Sequence, residues 1–344
     1  MNLLKPHVTT AGTPITLYVC QPGALLRRTH GRLVVERQGE ILGRVRLREL
    51  ERVVLCGAVQ LSSSALAALL DAGIETVILS PTGRYRGRLT PAEGKNIFLR
   101  QTQFQRHEDI AFRLRVAKRV VAGKIRNSRS LVQHHDWNHP DPAFREALKG
   151  LDESMERVSS QETLDAVMGV EGEAARTYFA AMGKMVRAEF AFTGRSRRPP
   201  QDPVNALLSF GYSVLLGEMT GAVAAQGLDP HVGYLHSLDY GRPSLALDLL
   251  EEFRQPVIDR LALSLINRGV LKGEHFEARK EGGVYLNESG RPRFLEFYHR
   301  AMDAEFEDRA SRSRATFRGL IFQQARRLRS AIEEAGEYSP YEIR

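Results

Sequence analysis

The chain has 344 residues, 42% hydrophobic and 26% charged, a globular composition whose length suits about two domains and excludes a disordered or fibrous protein. Its net charge of +8 favours a polyanionic partner, and 41 of its 49 cations are arginine, whose planar fork fits phosphate. No apolar run reaches the ~18 residues of a membrane span, no signal-peptide core opens the chain, and two cysteines, Cys20 and Cys56, make neither a disulfide framework nor a thiolate zinc site, so a cytoplasmic protein with no membrane partner is expected.

Residues 1–90 read as a small β domain. Ile15–Cys20, Arg32–Arg37, Ile41–Leu47, Arg52–Cys56 and Thr76–Leu79 are short β-branched or alternating runs between Gly, Pro and Gln-Gly turns. One helix interrupts them: Ser62, Ser63 and Ser64 offer N-caps, Ala65–Asp71 are good helix formers, and Gly73 closes the end. Pro81-Thr82-Gly83 turns into a strand on which Arg84, Arg86 and Arg88 share one face. Such a row suits DNA backbone, or equally a charged edge that discourages strand pairing. Residues 1–100 carry 14 basic and 7 acidic side chains against 35 and 34 in the remainder, so the excess charge sits on this domain.

Residues 91–96 read as a linker and 97–344 as a larger helical domain, giving an α+β chain: a small N-terminal β-sheet domain with one helix, then a larger all-α domain. Helices are predicted at Asp109–Arg129 and over 143–159, 161–190, 203–226, 244–268 and 303–335. The segment 134–140, with three histidines and Asp136, lacks regular spacing and precedes a Pro-Asp-Pro, which favours a surface loop over a metal site. Arg309–Arg329 holds seven arginines and no acid beside an apolar stripe of Phe317, Ile321 and Leu328. Its polar face, with Arg326, Arg327 and Arg329, is a second candidate DNA contact, a solvated helix being the alternative.

Three segments place acids or imidazole beside apolar faces. Glu171 shares a helical face with Ala174, Ala175 and Tyr178, where a carboxylate must be paired, protonated or metal-bound. His236 closes the turn-rich stretch from Gly227. Asp248 and Glu251, at i and i+3 of a helix opened by Pro243 or Ser244, flank the stripe of Leu245, Leu249 and Phe253, and Glu252 and Arg254 read as surface charges. Glu171, His236 and one or both of Asp248 and Glu251 would form an oxygen–nitrogen site suited to Mn²⁺ or Mg²⁺ and to phosphodiester chemistry.

The segments GVEGEAARTYF (169–179), DPVNALLSFGYSVLL (202–216) and GLDPHVGYLHSLDYGRPSLALDLLEEFRQPVIDR (227–260) resemble the CRISPR-associated spacer-acquisition integrases, the "Cas-one" family, and the likeness runs over essentially the whole chain. VQLSSSALAALLDAGIETVILSPTGR (59–84) matches that family's β domain. The wording looks most like versions from bacterial type I systems. The resemblance implies that Glu171, His236 and Glu251 are metal ligands, that Asp248 belongs to the catalytic set as ligand or orienting group, and that Tyr178 and Asn205 line the pocket. It also implies a metal-dependent DNA endonuclease and integrase of CRISPR adaptation, inserting captured fragments by 3′-hydroxyl transesterification. The implied partners are double-stranded DNA (captured fragment and leader-repeat), a small "Cas-two" protein, and a second copy of the chain in a homodimer. Two alternatives stand: a general metal-dependent nuclease on branched DNA, and a non-catalytic DNA-binding scaffold.

Overall fold

The computed structural model describes residues 15–19, 21–80, 85–89, 97–187, 190–280, 282–308 and 313–343. Cys20, Arg84 and the predicted linker 91–96 lie outside them. The chain divides into two compact units, one of residues up to 94 together with 286–295, the other of 95–285 with 296–344.

The first unit is built from β1 (Ile15–Val19), β2 (Leu25–Thr29), β3 (Arg32–Arg37), β4 (Glu40–Arg46), β5 (Leu50–Cys56), β6 (Gln60–Leu61), α1 (Ser63–Asp71), β7 (Glu75–Leu79) and β8 (Tyr85–Leu89). One sheet runs β1-β5-β7-β8, with only β8 antiparallel to its neighbour; the other runs β4-β3-β2-β6. The hairpins joining β2 to β3 and β3 to β4 turn on His30-Gly31 and Gln38-Gly39. All four residues have positive φ, the two-residue geometry whose twist matches that of the strands. Leu17, Val19, Leu26, Leu33, Val53, Leu55 and Leu69 fill the core. The unpredicted β2 hides behind its arginines: Arg27 is held across the hairpin by Glu36 at 2.6 Å. Ser62 caps α1 by accepting from the Ala65 N–H, as predicted.

The rest of the chain is mainly helical, and all of it but residues 286–295 belongs to the second unit: α2 (Ile97–Glu108), α3 (Ile110–Asn138), α4 (Pro142–Ser160), α5 (Leu164–Met185), α6 (Pro203–Ala225), α7 (Ser244–Leu250) and α8 (Arg260–Asn267), then β9 (Phe276–Ala278), β10 (Val284–Leu286), α9 (Gly290–Asp303), β11 (Phe306–Asp308), β12 (Ser313–Ala315) and α10 (Phe317–Glu334). Side chains of Asp109, Asp141, Thr163, Asp202 and Thr316 cap α3, α4, α5, α6 and α10. Three expectations are corrected. Residues 134–138 continue α3 instead of forming a loop, which begins only at His139-Pro140. The helix expected over 244–268 with a bend or restart at Pro256 is broken there by a full π-helical turn, Arg254–Asp259, because Pro256 has no N–H for the regular ladder. The one expected over 303–335 is the end of α9, a small β11–β12 hairpin and α10.

By length and composition α6 could cross a membrane, although Glu218 interrupts its apolar run, and its most apolar window is 83% buried inside the protein. Its Glu218 is buried against Arg318 of α10, whose Nη1 donates to both carboxylate oxygens at 2.7 Å while Nε donates to Asp303 at 3.0 Å. One of the seven arginines read as a DNA face is therefore a core residue. Glu218→Ala, which removes one of the two carboxylates holding this buried guanidinium and leaves Asp303, is expected to cost about 2–3 kcal/mol of unfolding free energy in urea titration.

Candidate active site

Residues 228–243 carry His236 and have little regular structure, so side chains must pin them. Gln103 of α2 donates to the carbonyls of Asp229 (2.9 Å) and Val232 (3.1 Å) and accepts from the Asp229 N–H, while His107 Nδ1 lies 2.7 Å from the Gly233 carbonyl. Gly233 must lack a side chain: a Cβ there would stand 2.7 Å from the Ser244 backbone and 2.9 Å from Asp248 Oδ2. That close approach lets Asp248, buried on α7, accept from the N–H groups of Tyr234 (2.5 Å), Leu235 (3.0 Å) and His236 (2.9 Å). It also bonds His236 Nδ1 at 2.7 Å. A carboxylate only accepts, so Nδ1 carries the proton and Nε2 presents its lone pair.

Nε2 stands 3.9 Å from Glu251 Oε1. Glu251, at the end of α7, is gripped from the π turn by Arg254, whose Nε and Nη2 each donate at 2.9 Å. Lys124 of α3 reaches Glu251 Oε2 at 2.6 Å and also hydrogen-bonds Glu171 Oε1 from α5. Asp248, His236, Glu251, Lys124 and Glu171 thus form one continuous chain of contacts. Glu171 and His236 remain 24% and 16% exposed, so the chain opens to solvent at those two side chains. Burial pushes the Glu251 carboxyl up, but Arg254, Lys124 and His236 together hold it well below the ordinary carboxylate range.

Among the described residues no three His, Cys, Asp or Glu side chains stand ready-made around one point. The gap between the two glutamates holds an ammonium instead. Two carboxylates and a braced imidazole are nonetheless a donor set that suits a hard divalent ion, and the ammonium is a stand-in charge lying between both carboxylates.

Other sequence-identified residues lie elsewhere. Tyr178 is wholly buried: its hydroxyl donates to Asp259 at 2.7 Å, as does Tyr212 at 2.5 Å, and the Arg254 guanidinium lies 4.3 Å from the Tyr212 ring centre. Asn205 is also wholly buried and ties Arg195, Ser196 and Gly194 to the start of α6. Neither faces an opening. Glu252 is no surface charge: it accepts from Gln324, Tyr338 and the Tyr341 N–H, and burial pushes its carboxyl up to about 7 against those bonds. Arg88 pairs with Glu75 at 3.4 Å, and Glu75 also holds buried Arg52; Arg86 is exposed. Arg326 and Arg327 are exposed on α10, but Arg329 is paired with Glu333. Arg254, like Glu252, is no surface charge, being held by Glu251 and the Tyr212 ring; Lys124 was missed, although a lysine at i+4 from Val120 on the apolar side of α3 was a visible anomaly.

A basic β unit joined in one chain to a helical unit that presents two carboxylates and a carboxylate-braced imidazole has the make-up of a nuclease. The family model for CRISPR associated protein Cas1 matches residues 17–300. The CRISPR-associated endonuclease Cas1 1 of Thermus thermophilus is 37% identical over 327 residues, covering 95% of this chain and 99% of the relative. Two solved structures share the fold: a casposase bound to integration product (TM-score 0.84, 22% identity, 96% of this chain and 94% of that one) and a Cas6-RT-Cas1–Cas2 complex (TM-score 0.83, 24% identity, 98% of this chain and 37% of that one). The chain belongs to the Cas1 family of CRISPR-associated endonucleases.

Burial raises Asp259 to about 6, although the bonds from Tyr212 and Tyr178 and the nearby Arg254 and Arg195 pull the other way. The folded value exceeds the unfolded one of about 3.9, so the folded state holds the proton longer and this group's contribution falls as pH rises from about 4 to about 6. Asp259→Asn is expected to gain about 3 kcal/mol relative to the parent between pH ~4 and pH ~7, read by urea unfolding at both ends.

Proposed function

We propose that this chain inserts captured DNA fragments into a CRISPR array by transesterification at the Glu171–His236–Glu251 centre. One linkage carries this reading: Lys124 joins Glu171 to Glu251 and His236 Nε2 stands 3.9 Å from Glu251, so the three side chains bring together the donor chemistry of a phosphodiester-cleaving site. Glu171, Glu251 and Nε2 of His236 would hold Mn²⁺ or Mg²⁺, which when bound supplies Lewis-acid polarisation of the scissile phosphate.

The chain's own residues do the positioning. Asp248 uses both oxygens on four donors, so it orients the imidazole instead of competing for the ion. That leaves Nε2 as the ring atom able to bind the cation or take a proton. Arg254 keeps Glu251 ionised and fixes both its oxygens. A fragment's 3′-oxygen forms a bond to phosphorus at the repeat edge as the bond to the leaving 3′-oxygen breaks, so the number of phosphodiesters is unchanged and no nucleotide cofactor is needed. Water in place of the hydroxyl gives strand cleavage from the same groups.

DNA, a Cas2-type protein and a second copy of this chain are the proposed partners, acting in the cytoplasm; the Cas1–Cas2 assembly and the integration product named for the two neighbouring structures support the first two. The domain division at 1–90, 91–96 and 97–344 is proposed on the same footing, the β-rich part serving as the dimerisation and DNA-backbone domain.

A supercoiled plasmid bearing leader and repeat, incubated with a 3′-hydroxyl duplex and the Cas2-type partner, tests the reaction. Joined product is expected from the parent, with a loss of about 100-fold or more in Glu171→Gln, His236→Asn and Glu251→Gln; nicks without joining would favour the general nuclease. For DNA affinity, replacing Arg326 and Arg327 by Ala is expected to flatten the salt dependence of log K by about 2, Arg329→Ala adding less because it is already paired. An unchanged slope removes α10 from the interface.

A further inference from the structure

Lys124 is out of place by every ordinary rule. It is a nearly buried lysine on the apolar side of α3, and its ammonium stands between Glu171 and Glu251, the two carboxylates best suited to a divalent ion. Without a cation there, two carboxylates within two hydrogen bonds of each other would repel strongly. Around this point Glu171, Glu251 and Asp248 are negative and Lys124 and Arg254 positive, so with a neutral imidazole the net charge is −1. Adding a divalent ion without moving anything would leave +1, with two cations competing for the same oxygens.

We infer that Lys124 is a resident counter-cation: it holds Glu171 and Glu251 together until a divalent ion displaces it, and the released ammonium then takes a DNA phosphate, which couples ion binding to DNA binding. The inference rests on the reading of this centre as the divalent-ion site. Lysine suits the task because its ammonium is a compact point charge on a flexible four-carbon stem, able to leave the carboxylates without moving the backbone of α3. Arg254 cannot do the same. Its guanidinium is fixed by two bonds to Glu251 and by the Tyr212 ring. Once displaced, the ammonium has lost its anionic partners and lies beside Glu171, whose side chain is partly exposed and gives a phosphate its approach. Coupling of this kind is reciprocal: DNA must tighten the ion by the same factor by which the ion tightens DNA.

The test is Mn²⁺ affinity of the full chain, measured by the electron paramagnetic resonance signal of free Mn²⁺, with and without a short 3′-hydroxyl duplex. In the parent the duplex is expected to tighten Mn²⁺ about tenfold or more. Lys124→Met is expected to bind Mn²⁺ about tenfold more tightly than the parent without DNA and to lose most of the DNA effect. Its melting temperature should drop without metal and rise more than the parent's on adding Mn²⁺. Lys124→Gln, which keeps a hydrogen-bond donor for one glutamate, gives the same reading if the methionine variant does not fold. Lys124→Arg, with a fork that grips both carboxylates, should weaken Mn²⁺. Unchanged or weaker Mn²⁺ affinity in a folded Lys124→Gln or Lys124→Met protein overturns the inference while leaving the ion site standing. Absence of saturable Mn²⁺ binding in parent and variants alike overturns both.

Discussion

Two carboxylates cannot share a largely buried space without positive charge between them, and the helical unit is organised around that requirement. α3 supplies an ammonium, α5 and α7 a glutamate each, and the π turn a guanidinium that locks one of them. The desolvation cost of burying these ions is offset because each of the four side chains has a close partner of opposite charge. This explains why three helices far apart in sequence must pack in register: a shift of one turn in any of them would leave a bare charge inside the protein.

The imidazole depends on a second constraint, the absence of a side chain at Gly233. The loop there has no ladder of its own and is held by Gln103 and His107 from α2 and by Asp248 from α7. Asp248 therefore acts on backbone and ring together. It fixes the loop's path through three N–H groups and the histidine tautomer through the fourth donor. Loop geometry and ring chemistry are set by a single carboxylate.

Much of this was legible in the sequence because it follows from periodicity. Most of the strands of the first unit, the Ser62 cap and the helical nature of the second unit follow from which positions recur on a face. Pairings were not legible, since they join residues more than 40 positions apart: Lys124 with Glu171, Arg318 with Glu218, Asp259 with Tyr178 and Tyr212. Arginine content misled for the same reason. Composition alone gives every guanidinium equal standing as a phosphate contact, but Arg52, Arg88, Arg254 and Arg318 are used internally, and only packing separates them from exposed Arg86, Arg326 and Arg327. Helix breaks were half visible: Pro256 marks where regularity ends, but not that a wider turn follows.

Glu251 and Glu252 are adjacent and look in opposite directions, one toward Lys124, Arg254 and His236 and the other onto residues 338–341. Asn127, one turn from Lys124 on α3, donates to the carbonyls of Glu252 and Tyr341 and accepts from the Ile343 N–H, and the Tyr341 ring is stacked on Phe253. Gly123 is bare because Pro340 occupies the space of its Cβ. Loss of residues 338–343 would therefore take two of its three partners from the Asn127 side chain and two of three from the Glu252 carboxylate, one helical turn from Lys124 and one residue from Glu251.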